Sequence, residues 1–242
     1  MQFVKKIKRK LSQEIFQKYI DATVNQNCSQ FEVNNWIISE FTLNELAPIV
    51  GIRPFPLNEQ MLMVGSVCRF KPTHIFEWGT NIGKSARIWY ETIQHFKIIC
   101  EIHSIDLPEQ INHIEHPHEK RGLLVKDIPQ VQLHEGDGLS KSLEIFKTTK
   151  GPIRPFFFLD GDHHYESVIR ELEGIISACT NPILLIHDTF YQSEESTYNV
   201  GPYLAIKNFL SDEKDFVQIT TNTGLPGLTL LFKPSSLYEV II

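Results

Sequence analysis

Two stretches of this 242-residue chain gather side chains that could move a proton or hold a cation. Asp160-Gly161-Asp162-His163-His164-Tyr165 follows the apolar run 155–159, and His187-Asp188-Thr189 closes the apolar run 183–186. A histidine in reach of a hydroxyl can take its proton near neutral pH. Acids beside it can hold a divalent ion that binds the hydroxyl oxygen, lowers its pKa and orients it. His163 is the leading candidate base and His164 its substitute. Either could instead be a solvated residue opening a helix near Tyr165, with Asp162 as the cap. The acids could equally form a hydrogen-bonded network with no metal.

A third stretch, His74-Ile75-Phe76-Glu77-Trp78-Gly79-Thr80-Asn81-Ile82-Gly83-Lys84-Ser85, runs from an apolar strand through a glycine turn into a helix. A phosphate-binding P-loop needs four residues between its first glycine and Gly-Lys-Ser. Here only three lie between Gly79 and Gly83, and Trp78 stands where that glycine belongs. The dinucleotide pattern needs a second glycine where Asn81 stands, which disfavours a nicotinamide oxidoreductase. A glutamate followed by two glycines suits a ligand without phosphate: Glu77 can receive an ammonium, directly or through water, while Gly79 and Gly83 admit close backbone approach. Two later strands also end in acids. Asp106 closes Ile102-His103-Ser104-Ile105 and could hold ribose hydroxyls, and Glu135-Gly136-Asp137 follows the run 131–134, where adenine would lie.

The Glu77-x-Gly79 turn resembles the first motif of class I S-adenosylmethionine methyltransferases. The Asp160-Gly-Asp-His163-x-Tyr165 and Ile186-His187-Asp188-Thr189 pair resembles a family related to catechol O-methyltransferase, macrocin-type sugar O-methyltransferases and cephalosporin hydroxylase-like proteins. This resemblance spans residues 57–233 and implies an α/β, Rossmann-like class I methyltransferase fold. That fold has a seven-stranded, mostly parallel sheet, a C-terminal antiparallel hairpin and N-terminal helices. It implies S-adenosylmethionine as cofactor, held by Glu77, Gly79, Thr80, Asn81, Gly83, Ser85, Asp106, Gly136, Asp137 and Asp160. It also implies methyl transfer to a hydroxyl of a small molecule or sugar, with a divalent metal on Asp160, His187 and Asp188 and with His163 as base. The chain departs from the family at His187, where relatives carry a carboxylate. Magnesium prefers hard oxygen ligands, so an imidazole there favours manganese, iron or another softer ion, or no metal.

The elements that must position these residues follow from the pattern. Apolar runs at 74–78, 98–105, 131–134, 155–159 and 183–186 alternate with amphipathic stretches at 84–95, 140–148 and 165–179, which predicts crossover connections and a parallel sheet. Runs at 216–220 and 228–232, joined through Gly224, Pro226 and Gly227, predict an antiparallel pair after a helix near 203–210. A helix is expected at 57–70, with Met61, Leu62, Val64 and Val67 inward. Residues 21–58, polar and then proline-rich, read as linker or lid, which divides the chain into an N-terminal segment 1–56 and a methyltransferase domain 57–242.

Composition limits the alternatives. Hydrophobic residues make up 42% and charged residues 21%, ordinary for a globular chain, and no apolar run is long enough to span a membrane. Net charge is −6, yet residues 1–20 carry six lysines and arginines against Glu14 alone. The body of the chain is therefore acidic and unsuited to nucleic acid. The basic start is roughly helical in period. It reads as a surface helix or a weak peripheral contact with anionic lipid. Four scattered cysteines and an interrupted leader-like start point to the cytoplasm. The crowded His113, Glu115, His116, His118 and Glu119 read as a metal site or, better, a solvated lid. Tyr191, Tyr198 and Tyr203 could shape an acceptor pocket or pack a core. Two other readings stay open: a metal-independent N-methyltransferase, and a non-catalytic cofactor-binding module acting through a partner or membrane.

Overall fold

The computed structural model describes residues 28–108, 110–111, 118–196 and 198–237. The basic stretch 1–20, His113, Glu115 and His116 lie outside them.

Seven strands form one sheet: β1 (His74–Trp78), β2 (Glu101–Asp106), β3 (Val131–Glu135), β4 (Pro155–Leu159), β5 (Ile183–His187), β6 (Val217–Thr221) and β7 (Leu228–Phe232). Their spatial order is β3-β2-β1-β4-β5-β7-β6. The first five are parallel, and β7 runs antiparallel to both β5 and β6. Strands β1, β4 and β5 are buried along their whole length, which explains their unbroken apolar runs. The chain leaves β1 toward β2 on one side and reaches β4 on the other, so a crevice opens between β1 and β4 at their carboxyl ends.

Helices cover both faces. Helices α1 (Asn35–Phe41), α2 (Ala47–Val50), α3 (Leu57–Phe70) and α4 (Lys84–His95) lie on one side. There Met63, Val64, Val67, Ile88 and Trp89 pack with Ile75, Phe156 and Leu185. Helices α5 (Gly138–Thr148), α6 (Tyr165–Ala178) and α7 (Val200–Asp212) cover the other. Their Leu139, Leu172, Ile175 and Phe209 meet Phe76, Phe157 and Leu184. The architecture matches the class I methyltransferase expectation.

Two local expectations change. The strand expected from Ile98 begins at Glu101, because α4 ends in a turn with Lys97 at φ 53° and Ile99 faces solvent. Residues 21–58 are more than linker or lid. Asn34 caps α1 by accepting the Ile37 amide at 3.3 Å, and a π-helical turn Thr42–Leu46 leads into α2. Ile37, Ile38, Phe41, Leu46, Val50 and Phe55 are buried in the same core as β1. Polar residues placed between these apolar ones at helical spacing mask that inward stripe.

On the α5 face, His74, Phe76 and His103 stack in parallel, with 5.1 Å between the Phe76 and His103 rings. His103 Nδ1 lies 3.1 Å from His134 Nε2, while its own Nε2 is buried without a hydrogen-bond partner. Burial, helped by His134 and His74, pushes the His103 imidazole down to about 4. The folded chain thus binds fewer protons than the unfolded one below the ordinary histidine value, and stability falls as pH drops through that window. Replacing His103→Leu should remove roughly 2 kcal/mol of the stability lost between pH 7 and pH 4.5. Urea unfolding at the two pH values checks this; equal losses in both proteins would refute it.

Candidate functional site

The turn after β1 is built by contact between backbones. Gly79 has φ +92°, and a Cβ there would lie 2.1 Å from the Asp160 carbonyl oxygen. The Asp160 amide in turn donates to the Trp78 carbonyl at 3.2 Å. The close approach thus joins the first turn to the end of β4 across the sheet's crevice. Gly83, at φ +86°, caps α4, and a Cβ there would meet Val125 at 2.8 Å. Chain packing alone requires a glycine at both positions, beside the ligand approach expected of them.

Glu77 sits beneath this turn. It is fully buried, and its Oε1 accepts from the Ser104 hydroxyl at 2.6 Å while Oε2 accepts from the Trp89 indole at 2.7 Å. Burial raises the carboxyl to about 7 against hydrogen bonds from Ser104, Ser85 and Trp89. Thr80 Oγ1 lies 2.7 Å from Ser104 Oγ and extends the network toward the turn. Glu77, expected to receive an ammonium directly or through water, is held in place by these internal donors. Its oxygens are committed to internal donors, and Ser85 and Thr80 are buried with it.

Asp106, at the end of β2, accepts the Asn81 amide at 3.1 Å and the Leu107 amide at 2.7 Å. Arg121 approaches it at 3.3 Å. Beyond it a cleft of about 220 Å³ is lined by Thr80, His118, Arg121, Leu133, His134 and Glu135. Gly136 adopts φ +138° with open space where a Cβ would be. Asp137 serves the fold: its Oδ1 caps α5 by accepting the Ser140 amide at 2.9 Å, and Oδ2 pairs with Arg170 at 2.7 Å. That Arg170 bond holds its carboxyl down at about 2. Both oxygens of Asp137, expected at the cofactor, have partners within the chain.

Across the crevice, Asp160, His187 and Asp188 converge, with ligand atoms within 4.8 Å of one another. His187 Nδ1 lies 2.9 Å from Asp160 Oδ1 and 3.3 Å from Asp188 Oδ2. Its Nε2 lies 3.2 Å from Glu59 Oε2. Glu59 comes from the first turn of α3, is 1% exposed, and accepts the Gly227 amide on Oε1 at 2.8 Å. Burial would lower His187, but Asp160, Asp188 and Glu59 outweigh it and hold the imidazole well above its ordinary value. Burial would raise Asp160, but the charges of His187 and His163 bring it below the usual carboxylate range.

His163 Nε2 stands 3.2 Å from Asp188 Oδ2 at the open edge of this cluster. The Asp160 carboxylate, and then that of Asp188, holds its imidazole above the ordinary value. His164 is elsewhere. It occupies the N-cap position of α6 with an exposed ring, and its Nδ1 lies 2.5 Å from Asp162 Oδ1. Asp162, expected as a cap, accepts the His164 amide and the Ser167 hydroxyl from just outside the helix. His164 therefore lies outside the cluster it was expected to back up, because the chain before the helix is extended and its ring pairs with Asp162 in solvent.

Glu59 and Tyr198 complete the cluster. The Tyr198 hydroxyl donates to Asp188 Oδ1 at 2.7 Å, and Tyr191 stacks on Tyr203 with centroids 4.4 Å apart. Tyr198 is half exposed, so pocket shaping describes it better than core packing. Glu59 had one sequence signal: it opens the inward stripe Glu59, Met63, Val67, Phe70 of α3, and a carboxylate in such a stripe needs a buried partner.

With the Gly79–Asp160 contact and the acid cluster established, comparison with known proteins decides the family. The family model described as Rhamnosyl O-methyltransferase/CmcI matches residues 51–224. The chain belongs to this family. It is accordingly an S-adenosylmethionine-dependent O-methyltransferase. A comparison with the curated proteins finds no match. Solved structures share the fold of this family member at low identity. The O-methyltransferase TomG from Streptomyces achromogenes, in complex with S-adenosylmethionine, is 13% identical over 82% of this chain and 88% of its own, with a TM-score of 0.55. An O-methyltransferase from Bacillus cereus in complex with SAH is 14% identical over 81% and 90%, with a TM-score of 0.54. CalS11, a TDP-rhamnose 3'-O-methyltransferase of calicheamicin biosynthesis, is 13% identical over 81% and 91%, with a TM-score of 0.53.

Gly79 and Gly136 share positive φ but differ in space, and that contrast is testable. Gly79→Ala should cost roughly 3 kcal/mol or more, since backbone must move. Gly136→Ala should cost only the ~1–2 kcal/mol of a left-handed residue. Denaturant midpoints decide; equal losses would contradict the packing account.

Proposed function

We propose that this family member transfers a methyl group from S-adenosylmethionine to a hydroxyl oxygen of a sugar or sugar-bearing small molecule, with His163 as the base. The observation that carries this reading is the placement of His163 Nε2, 3.2 Å from Asp188 at the open edge of a buried acid cluster. That cluster is joined to the Gly79 turn by direct backbone contact. The name of CalS11 as a TDP-rhamnose methyltransferase and the family description support a sugar as acceptor.

The donor half lies along the ends of β1, β2 and β3. Asp106 is the group proposed for the ribose hydroxyls: Arg121 and two amides orient its carboxylate while its remaining lone pairs stay available. Gly79, Asn81 and Gly136 supply backbone surface around the donor, and Gly136 leaves open space beside it. Glu77, Thr80, Ser85, Gly83 and Asp137 hold this surface from behind through the contacts described above.

The acceptor half lies over β4 and β5. A sulfonium methyl is already electrophilic, so the barrier lies in making a neutral hydroxyl nucleophilic and aligning it. His163 takes the hydroxyl proton on Nδ1, the nitrogen not directed at the acids, and Asp188 and Asp160, facing Nε2–H, stabilise the imidazolium that forms. Two carboxylates and one imidazole fit a divalent ion of the manganese or iron class better than magnesium. Such an ion, when bound by Asp160, His187 and Asp188, would lower the acceptor's pKa. The Tyr191–Tyr203 stack offers an aromatic wall next to the cluster's strand. N-methylation has no observation in its favour, since an amine acceptor would not need this density of acids.

Among the described residues no helix is long and apolar enough to cross a membrane. Four cysteines free of disulfides suit the cytoplasm, where we place the enzyme.

Incubation with methyl-labelled S-adenosylmethionine and a panel of nucleotide sugars and glycosides should transfer label to at least one hydroxyl. His163→Ala should lower kcat by about 10²–10⁴-fold while leaving cofactor affinity unchanged. Full activity in the variant would remove His163 from the reaction.

A further inference from the structure

We infer that Glu59 is a positioning residue that fixes the tautomer of His187 and so makes the cluster a nitrogen-containing site for a divalent transition-metal ion in preference to magnesium. The inference deepens the functional reading above and rests on the acid cluster being the acceptor half.

A charged side chain stands in the apolar stripe of α3. Glu59 is 1% exposed on the inward face of α3, a place where an unpaired carboxylate would be costly. Its two oxygens do separate jobs. Oε1 accepts the Gly227 amide at 2.8 Å, which anchors the carboxylate to the hairpin before β7. Oε2 faces His187 Nε2 at 3.2 Å. A carboxylate can only accept here, so Nε2 must carry the hydrogen.

With Nε2–H held by Glu59, Nδ1 is the nitrogen left to share a proton or a cation with the acids. Nδ1 is the atom aimed at Asp160 Oδ1 at 2.9 Å and at Asp188 Oδ2 at 3.3 Å. Three potential ligand atoms from β4 and β5 thus turn toward one region, and only a proton or a cation reconciles them. A carboxylate bonded to the far nitrogen of a ligating imidazole is the usual support of a histidine–metal bond. It sets the ring's orientation and makes the near nitrogen more basic. One borderline nitrogen beside two hard oxygens favours manganese, iron, cobalt or zinc over magnesium, which seeks an all-oxygen octahedron. Phe55 and Phe158 flank the ring at 4.8 and 6.4 Å between centroids and keep that shell apolar.

Glu59→Gln tests the pairing with little change of shape. The amide oxygen can still accept from Gly227, but the amide nitrogen now donates to His187 Nε2. Nε2 must then be the unprotonated nitrogen, so the neutral ring keeps its hydrogen on Nδ1, where it blocks the lone pair an ion would need. Chelator-stripped full-length protein, titrated calorimetrically with Co²⁺, Mn²⁺ and Mg²⁺, should bind Co²⁺ and Mn²⁺ and take Mg²⁺ at least 100-fold more weakly. Glu59→Gln should weaken Co²⁺ by about 10–100-fold with S-adenosylmethionine affinity and thermal midpoint retained. Should that variant fail to fold, His187→Glu provides the second arm: an all-carboxylate site should narrow the Co²⁺ to Mg²⁺ ratio at least tenfold.

No ion bound by wild type, equal affinity for Co²⁺ and Mg²⁺, or unchanged Co²⁺ affinity in a folded Glu59→Gln would each overturn the inference. So would an unchanged ratio in His187→Glu. The functional reading fails by a different sign, the absence of any transfer of label.

Discussion

The contact between the Gly79 turn and the Asp160 carbonyl is the constraint on which the rest of the site depends. Sheet geometry brings β1 and β4 side by side, but strands of ordinary residues could not continue this close past their last paired positions. Removing one Cβ allows the turn proposed to carry the donor half to lie against the strand end proposed to carry the acceptor half. Methyl transfer needs two reactants held in line at short range, and here the range is set by main chain. Side-chain motion in the loops can alter what binds, but it cannot widen this junction without breaking the sheet's crevice.

Charge burial is the second constraint, and the chain meets it by pairing. Glu77 is surrounded by neutral donors, which keep it in place without a counter-ion. Asp137 is matched by Arg170 and Asp106 by Arg121. The acceptor half instead collects three carboxylates around one imidazole, a balance that invites a cation. The two halves therefore differ in electrostatic character. The Glu77 side is organised by hydrogen bonds that leave few unmet demands, while the Asp160–His187–Asp188 side concentrates negative charge where we propose that a hydroxyl proton is removed.

How much of this was legible from residues alone follows the physics of each contact. Parallel strands buried on both faces must be apolar throughout, so β1, β4 and β5 were readable to their ends. Ligands gather where such strands stop, so Asp106, Asp160, His187 and Asp188 stood out as acids and a histidine at those stops. Local periodicity also located α3 and α4. It failed for residues 35–50, where polar residues interrupt short apolar stripes, and for Glu59, whose partner His187 lies 128 positions away. No local pattern encodes a bond of that separation. The glycines stood out from their turn motif, which records that a Cβ is excluded but not which atom excludes it; their contacts with Asp160 and Val125 lie beyond local pattern. Adjacent histidines 163 and 164 could not be ranked until the start of α6 turned one toward Asp188 and the other toward water.

The central claim is that the junction at the ends of β1, β2 and β4 holds S-adenosylmethionine for methyl transfer. Calorimetric titration of the folded chain with S-adenosylhomocysteine, beside an Asp106→Ala variant, tests it most directly. Saturable micromolar binding in the wild type, weakened at least tenfold by the loss of the Asp106 carboxylate, is the predicted result. A folded wild type that gives no binding heat, or a variant that binds as well as wild type, would contradict it.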